Sequence, residues 1–191
     1  MRDFREKIVH HGGFDGVTGS CHEWFYADNA SIMVDCGLFQ GDEAHEQDLN
    51  FHFDVSRIRA VVLTHGHIDH VGRLPWLIAA GFRGPIICTQ PTAKLLPIIL
   101  EDALQLQLPD QDVLVKRALE RIIKQILGVA YNKPIQSGYS VSNDFQPPQI
   151  VLQNAGHILG SAYVEIAYRG KTTVFSGDLG PSDALMNPKP V

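Results

Sequence analysis

The segment THGHIDH, residues 64–70, places His65, His67, Asp69 and His70 within six positions. Imidazole nitrogens and carboxylate oxygens together suit a zinc-like divalent ion, with iron or manganese as alternatives. The chemistry such a cluster can do is therefore metal coordination. On an extended chain alternate residues point the same way, so His65 and His67 can reach one ion side by side. The chain then turns towards a helix at Val71, which directs Asp69 and His70 to a second position nearby.

One short segment rarely closes a two-metal site, so further ligands are expected at other strand ends. His157 lies in QNAGHILGSA, just after the strand-like QIVLQNA and inside a Gly-flanked loop. Asp178 lies in TTVFSGDLG, at the end of an apolar run. A lone loop His or Asp is more often a turn-former or cap. What singles these two out is that each follows a strand, as the first cluster does. Asp35 ends a third apolar strand in SIMVDCG and can orient a ligand histidine from behind. Among the other histidines, His45 and His52 fall in a polar stretch and read as solvated, and His10 and His11 end the first strand. His22 follows the VTGS loop and can approach the site. Trp24 and Trp76 read as core or interface aromatics, and Cys36 as a packed thiol.

The elements that must position these residues follow from hydrophobic period and turn signals. RAVVLTH and GPIICT are short apolar runs of buried-strand type. KIVHH, CHEWFYA, ASIMVDCG, QIVLQNA, AYVEIAYR and TTVFSGD are further strands. Asp28-Asn29 and Arg169-Gly170-Lys171 read as hairpin turns. VGRLPWLIAAG predicts a short helix ending at Gly81. Residues 91–127 predict a helical pair, with Pro91 in the first helical turn and Pro97 kinking or shortening it. In the second helix Val115, Ala118, Leu119, Ile122, Ile123 and Ile126 form the apolar stripe, Asp110 or Asp112 the start cap and Gly128 the end. Residues 41–56 and the tail PSDALMNPKPV read as loops. The order of strands, two helices and strands fits a layered α/β domain.

The 191 residues are 45% hydrophobic and 19% charged, with a net charge of −5, so no global basic field draws a polyanion. The cysteines Cys21, Cys36 and Cys88 form no CxxC pair or disulfide framework, which favours a reducing compartment. MRDFREKIVHH lacks the apolar core of a signal peptide, and no run approaches the roughly 18 residues of a membrane span. These features predict a cytoplasmic protein without a membrane partner.

THGHIDHVGRLP, together with VDCGLFQG, AGHILGSA and SGDLG, resembles the metallo-β-lactamase fold superfamily. GVTGSCH, GLFQG, GHILGSA and the paired helices at 91–127 resemble its β-CASP branch of RNA-processing nucleases. The resemblance runs over about residues 8–190. It implies an αββα sandwich and two divalent ions, zinc first. His65, His67 and His157 would hold one ion, Asp69 and His70 the other, and Asp178 would bridge them. Asp69 and Asp178 are then the catalytic carboxylates, and Asp35 supports the site from behind. The implied reaction is phosphodiester hydrolysis of RNA by a metal-bridging hydroxide. Glyoxalase-II-like thioester hydrolases and lactonases share HxHxDH and are the alternative within the fold; a non-catalytic metal-binding or interaction fragment is the alternative outside enzymology.

Members of the branch continue past the SGDLG region with an inserted β-CASP domain and then complete the first. Residues 1–191 are therefore expected to form one partial metallo-β-lactamase domain without the β-CASP domain or the C-terminal completion. No histidine follows Asp178. The second ion is accordingly expected to be weakly held or absent, and no general acid is identifiable. An incomplete sandwich should also leave an apolar sheet face uncovered, through which a homo-oligomer would form.

Overall fold

The computed structural model describes residues 6–45, 49–136 and 146–181. Two sheets lie face to face. The first contains β1 (Lys7–Gly12), β2 (Cys21–Ala27), β3 (Ala30–Val34), β4 (Ile58–Val62), β5 (Ile86–Thr89) and β6 (Ile126–Val129), in that spatial order. β1, β2 and β3 pair antiparallel, whereas β3, β4, β5 and β6 pair parallel. The second sheet is antiparallel, in the order β10 (Lys171–Phe175), β9 (Ala162–Tyr168), β8 (Gln149–Asn154) and β7 (Ile135–Gln136). α1 (Ile68–Val71), α2 (Leu74–Ala79), α3 (Gln90–Gln107) and α4 (Asp112–Gln125) complete the elements.

Strand period explains the layering. Along β3 and β4, Ile32, Val34, Ala60 and Val62 face the second sheet, where they meet Ile150, Leu152, Val164 and Ile166. The intervening Met33 and Val61 face the helices, meeting Leu74, Leu77, Leu96 and Leu100. Because both faces are covered, these strands are apolar at all but Ser31 and Arg59. The second sheet is covered on one side only, so β9 alternates buried and half-buried residues. The layers are thus helix, sheet and sheet; among the described residues no helix covers the outer face of β8–β10. That face is not the apolar surface expected. Val151, Tyr163 and Val174 share it with Gln153, Glu165 and Thr172, because alternation delivers both kinds of residue to one side.

The two hairpin turns form as expected, with Arg169 and Gly170 both at positive φ (49° and 76°). Other expectations are corrected. The helix α3 begins at Gln90, capped by the Thr89 side chain, and runs through Pro97 without a break. α4 has neither Asp110 nor Asp112 as its cap: Gln111 holds that position without a side-chain bond, and Asp110 sits at φ 64° between the helices. Gly128 ends nothing. α4 passes directly into β6, where a Cβ on Gly128 would stand 3.0 Å from Ala93 Cβ, so glycine there admits close strand–helix packing. Short helical turns at Gly41–His45 and Val55–Arg57 interrupt the loop read at 41–56. The His45 side chain and residues 182–191 lie outside the described residues. Among the described residues, no helix is long and apolar enough to cross a membrane.

One buried charge sits in the first sheet away from the metal-ligand candidates. The Glu23 side chain is 0% exposed and bonds to Arg57 Nε (2.9 Å) and His11 Nε2 (2.8 Å); Ser31 Oγ donates to it at 2.6 Å. Burial pushes its carboxyl up, but bonds from His11, Arg57 and Ser31 outweigh that and hold it below the usual range. Its contribution to stability is therefore complete above the unfolded value of about 4.3 and is lost as pH falls through the lower folded value. Glu23→Gln is expected to lower unfolding stability by about 2–3 kcal/mol at pH 7, because Arg57 is left without its partner. Urea denaturation at pH 7 and at pH 3 checks this; the difference between variant and wild type should shrink at the lower pH.

Candidate metal centre

The parallel run from β3 to β4 brings the C-terminal ends of both strands to one edge. β8 and β10 end at the same edge, and the candidate ligands sit in the loops that follow. His65 and His67 leave β4, and Asp69 and His70 lie on α1. His157 sits in the loop after β8, where the Ser161 hydroxyl accepts from the backbone N–H of His157 (3.0 Å) and Ile158 (3.2 Å). Asp178 follows β10. Gly177, at φ 51°, packs directly against Thr64, where a Cβ would lie 2.7 Å from Thr64 Cβ; glycine is what allows Asp178 so close to β4.

His65, His67, His157 and Asp178 each offer one donor atom, and these atoms lie within 4.8 Å of one another. His67 Nδ1 lies 3.0 Å from His65 Nε2 and 3.2 Å from His157 Nε2. Asp178 Oδ2 lies 3.7 Å from His65 Nε2 and 3.4 Å from His157 Nε2. Donors about 2.0–2.1 Å from a tetrahedral ion stand about 3.4 Å apart. The observed spacings bracket that value, so these residues fit a zinc-like ion. The other oxygen of Asp178, Oδ1, lies 3.4 Å from His70 Nε2, and Asp69 Oδ2 lies 3.8 Å from the same nitrogen. One carboxylate thus faces two donor sets.

Asp35 fixes the tautomers behind this cluster. Its carboxylate accepts from Thr64 N (2.8 Å), from Thr64 Oγ1 (3.0 and 2.9 Å) and from Ser20 Oγ (3.2 Å). It also takes His70 Nδ1 at 2.7 Å, so His70 donates there and turns the lone pair of Nε2 to the site. The Thr64 hydroxyl, having given its proton to Asp35, accepts from His65 Nδ1 at 3.1 Å and leaves Nε2 of His65 free to bind. Burial, then the neighbouring His70, His67 and His157, pushes His65 down to about 2. His67 is lowered by burial and by His157. His70 is pushed down by burial but raised on balance by Asp35, Asp69 and Asp178.

All seven residues singled out in the sequence therefore meet at one place. Thr64, Ser20 and Ser161, which hold them, were not singled out. Their signal was adjacency, in THGH, TGSCH and GHILGS. His10 and His22 also reach each other, with Nδ1 atoms 2.8 Å apart, through the β1–β2 register. Cys36 is a fully buried thiol, as read, and burial pushes it up; burial likewise pushes Cys88 up to about 12. A cavity of about 560 Å³ lies at the opposite end of the second sheet around Tyr168–Thr172 and is lined by none of these residues.

Residues 18–190 match the Metallo-beta-lactamase superfamily, and the chain belongs to it. It is 36% identical over 184 residues to Ribonuclease TTHA0252 of Thermus thermophilus, covering 96% of this chain and 40% of that protein. It is 37% identical over 175 residues to Transcription termination factor FttA of Cenarchaeum symbiosum (88% and 26% of the two chains). It is 30% identical over 158 residues to Cleavage and polyadenylation specificity factor subunit 3-II of Arabidopsis thaliana (77% and 24%). The chain thus spans less than half the length of these relatives, whose RNA-processing names bear out the expected branch. The crystal structure of the metallo-beta-lactamase fold protein YhfI from Bacillus subtilis matches with a TM-score of 0.54 at 18% identity, over 91% of this chain and 62% of that one.

Asp35→Asn is expected to weaken metal binding about 10- to 100-fold, because it removes the charge that orients His70. Competition of the variant and wild type against a chromogenic chelator measures this. Wild-type affinity in the variant would show that the carboxylate orients nothing.

Proposed function

We propose that this chain holds two divalent ions, zinc in preference to manganese or iron, and forms the metal centre of an enzyme that hydrolyses phosphodiester bonds in RNA. The observation that carries the reading is the placement of Asp178, with Oδ2 towards His65 and His157 and Oδ1 towards His70. His65, His67, His157 and Asp178 would hold one ion; Asp69, His70 and Asp178 would hold the other. Three imidazoles on the first side favour zinc. Ions held this way supply a water of lowered pKa and neutralise charge on the phosphate.

The chain's own residues prepare that chemistry. Asp35 and Thr64 lock His70 and His65 as neutral ligands through their Nδ1 protons. Ser161 holds the His157 loop, and Asp69 and Asp178 place carboxylates at the reacting centre. RNA as the substrate is supported by the relatives, named as a ribonuclease, a termination factor and a cleavage factor. Cytoplasmic location is supported by Cys21, Cys36 and Cys88, all free and buried.

Elemental analysis of the purified chain should return at least one ion per chain, with the second site weakly filled, and less metal in His67→Ala. Cleavage of single-stranded RNA should stop on chelation, return with zinc, and fall at least about a hundredfold in Asp178→Asn. Turnover of S-lactoylglutathione but not RNA would move the chain to the thioester hydrolases. Metal binding without turnover of either would support the non-catalytic reading.

A further inference from the structure

The cavity beside Asp178 extends beyond the ligand cluster. It has a volume of about 330 Å³ and is lined by His10, Ser20, His22 and Phe175, together with His70 and Asp178. That volume falls within the range of small-molecule sites. His10 and His22 are not among the ligands, yet both rings are fixed. His22 Nε2 stands 3.4 Å from the Ser20 hydroxyl, which gives its own proton to Asp35. His22 therefore donates through Nε2 and accepts at Nδ1 from His10 Nδ1–H, 2.8 Å away.

A neighbouring cavity, also about 330 Å³, shares His10 and Gly13 with this one and is lined by Phe14, so aromatic rings run from one to the other. His22 lies parallel to Phe175 at 6.1 Å, and His10 is stacked on Phe14 at 5.0 Å with 15° between the rings. Phe14 is 70% exposed and is the one exposed Phe, Tyr or Trp among the described residues. His10 stacks on its ring, and most of the side chain remains in solvent. The loop that carries it is tethered: Glu43 accepts from Val17 N (2.9 Å), Thr18 N (2.9 Å) and the Thr18 hydroxyl. Those bonds hold the Glu43 carboxyl below its usual range. A large apolar ring kept in water on an anchored loop, half stacked and next to a metal centre, is the arrangement by which proteins stack the unpaired bases of single strands.

We propose that this cavity and the adjoining one that shares His10 and Gly13 form the subsite for the nucleotide next to the bond that is cut, with its base on the exposed ring of Phe14 and its sugar–phosphate along His10 and His22. The proposal rests on the RNA reading above. Its test is a fluorescence titration of the zinc-loaded chain with a single-stranded RNA decamer carrying 2-aminopurine. Wild-type binding should quench the fluorophore. Phe14→Ala should lose most of the quench and bind about tenfold more weakly, while Phe14→Tyr should keep both properties. Unchanged quench and affinity in Phe14→Ala would overturn the subsite and leave the RNA reading standing. No RNA binding by the wild-type chain would overturn both.

Discussion

The carboxylate of Asp35 is 1% exposed, and a charge so far from water persists only when it is hydrogen-bonded on every side. Its donors come from separate parts of the chain: the backbone and hydroxyl of Thr64 after β4, the hydroxyl of Ser20 before β2, and the imidazole of His70 on α1. Satisfying the one charge therefore forces three connections into one arrangement. The backbone yields to it as well, since Asp35 takes a positive φ of 61° where most residues would be strained. The backbone bonds Ser20 N to Asp69 O (2.9 Å) and Cys36 N to His70 O (2.8 Å) then fasten α1 to the same two segments.

Thr64 carries this constraint across to the second sheet. Its carbonyl accepts from Ala162 N at 2.7 Å, at the start of β9, and its side chain is the surface against which Gly177 packs. The loop that carries His157 is held independently, because the Gly160 carbonyl accepts from the hydroxyls of Thr89 (2.6 Å) and Thr92 (2.9 Å) at the head of α3. The candidate ligands His65, His70 and His157 are thus held by bonds that do not involve an ion. A site built this way needs little rearrangement to bind, which is what precise coordination requires.

The parts legible in the sequence were those that a local signal specifies. Buried strands declare themselves as apolar runs, so β3, β4 and β5 could be read, and with them the ligands at their ends. The helix α4 showed its stripe, and Val115, Leu119 and Ile122 are buried as that stripe requires, but Ile123, read on the same stripe, is 49% exposed and Ile126 belongs to β6. Its end was misread because Gly128 resembles a cap, whereas its reason lies in Ala93, over thirty residues earlier and invisible to any window. β6 was missed because its apolar ILGV directly continues the stripe of α4 and was read as the end of that helix, and β7 because it is only two residues long. The His10–His22 contact depends on the register of a bulged hairpin, which no pattern of residue types reports. The ligand loops were legible for the opposite reason: chemistry restricts which residues they can use, whatever the fold around them does.

The two donor sets facing Asp178 are not equivalent. On one side stand three imidazoles and one carboxylate oxygen, with the most buried ring, His65, kept neutral by burial and by its neighbours. On the other side, His70 is accompanied by Asp69 and the second oxygen of Asp178. The first side is richer in nitrogen donors and the second in carboxylate oxygens, so the two sides differ in the charge each presents. Asp178, its side chain 43% exposed, faces both from a partly open position. It is nevertheless held from both flanks, by Gly177 against Thr64 and by Gly180 N donating to Ala155 O at 2.9 Å. The Asp178 carboxylate is therefore accessible to solvent while its backbone is tied to the loop of His157, so the asymmetry of the cluster follows from the loops that hold it.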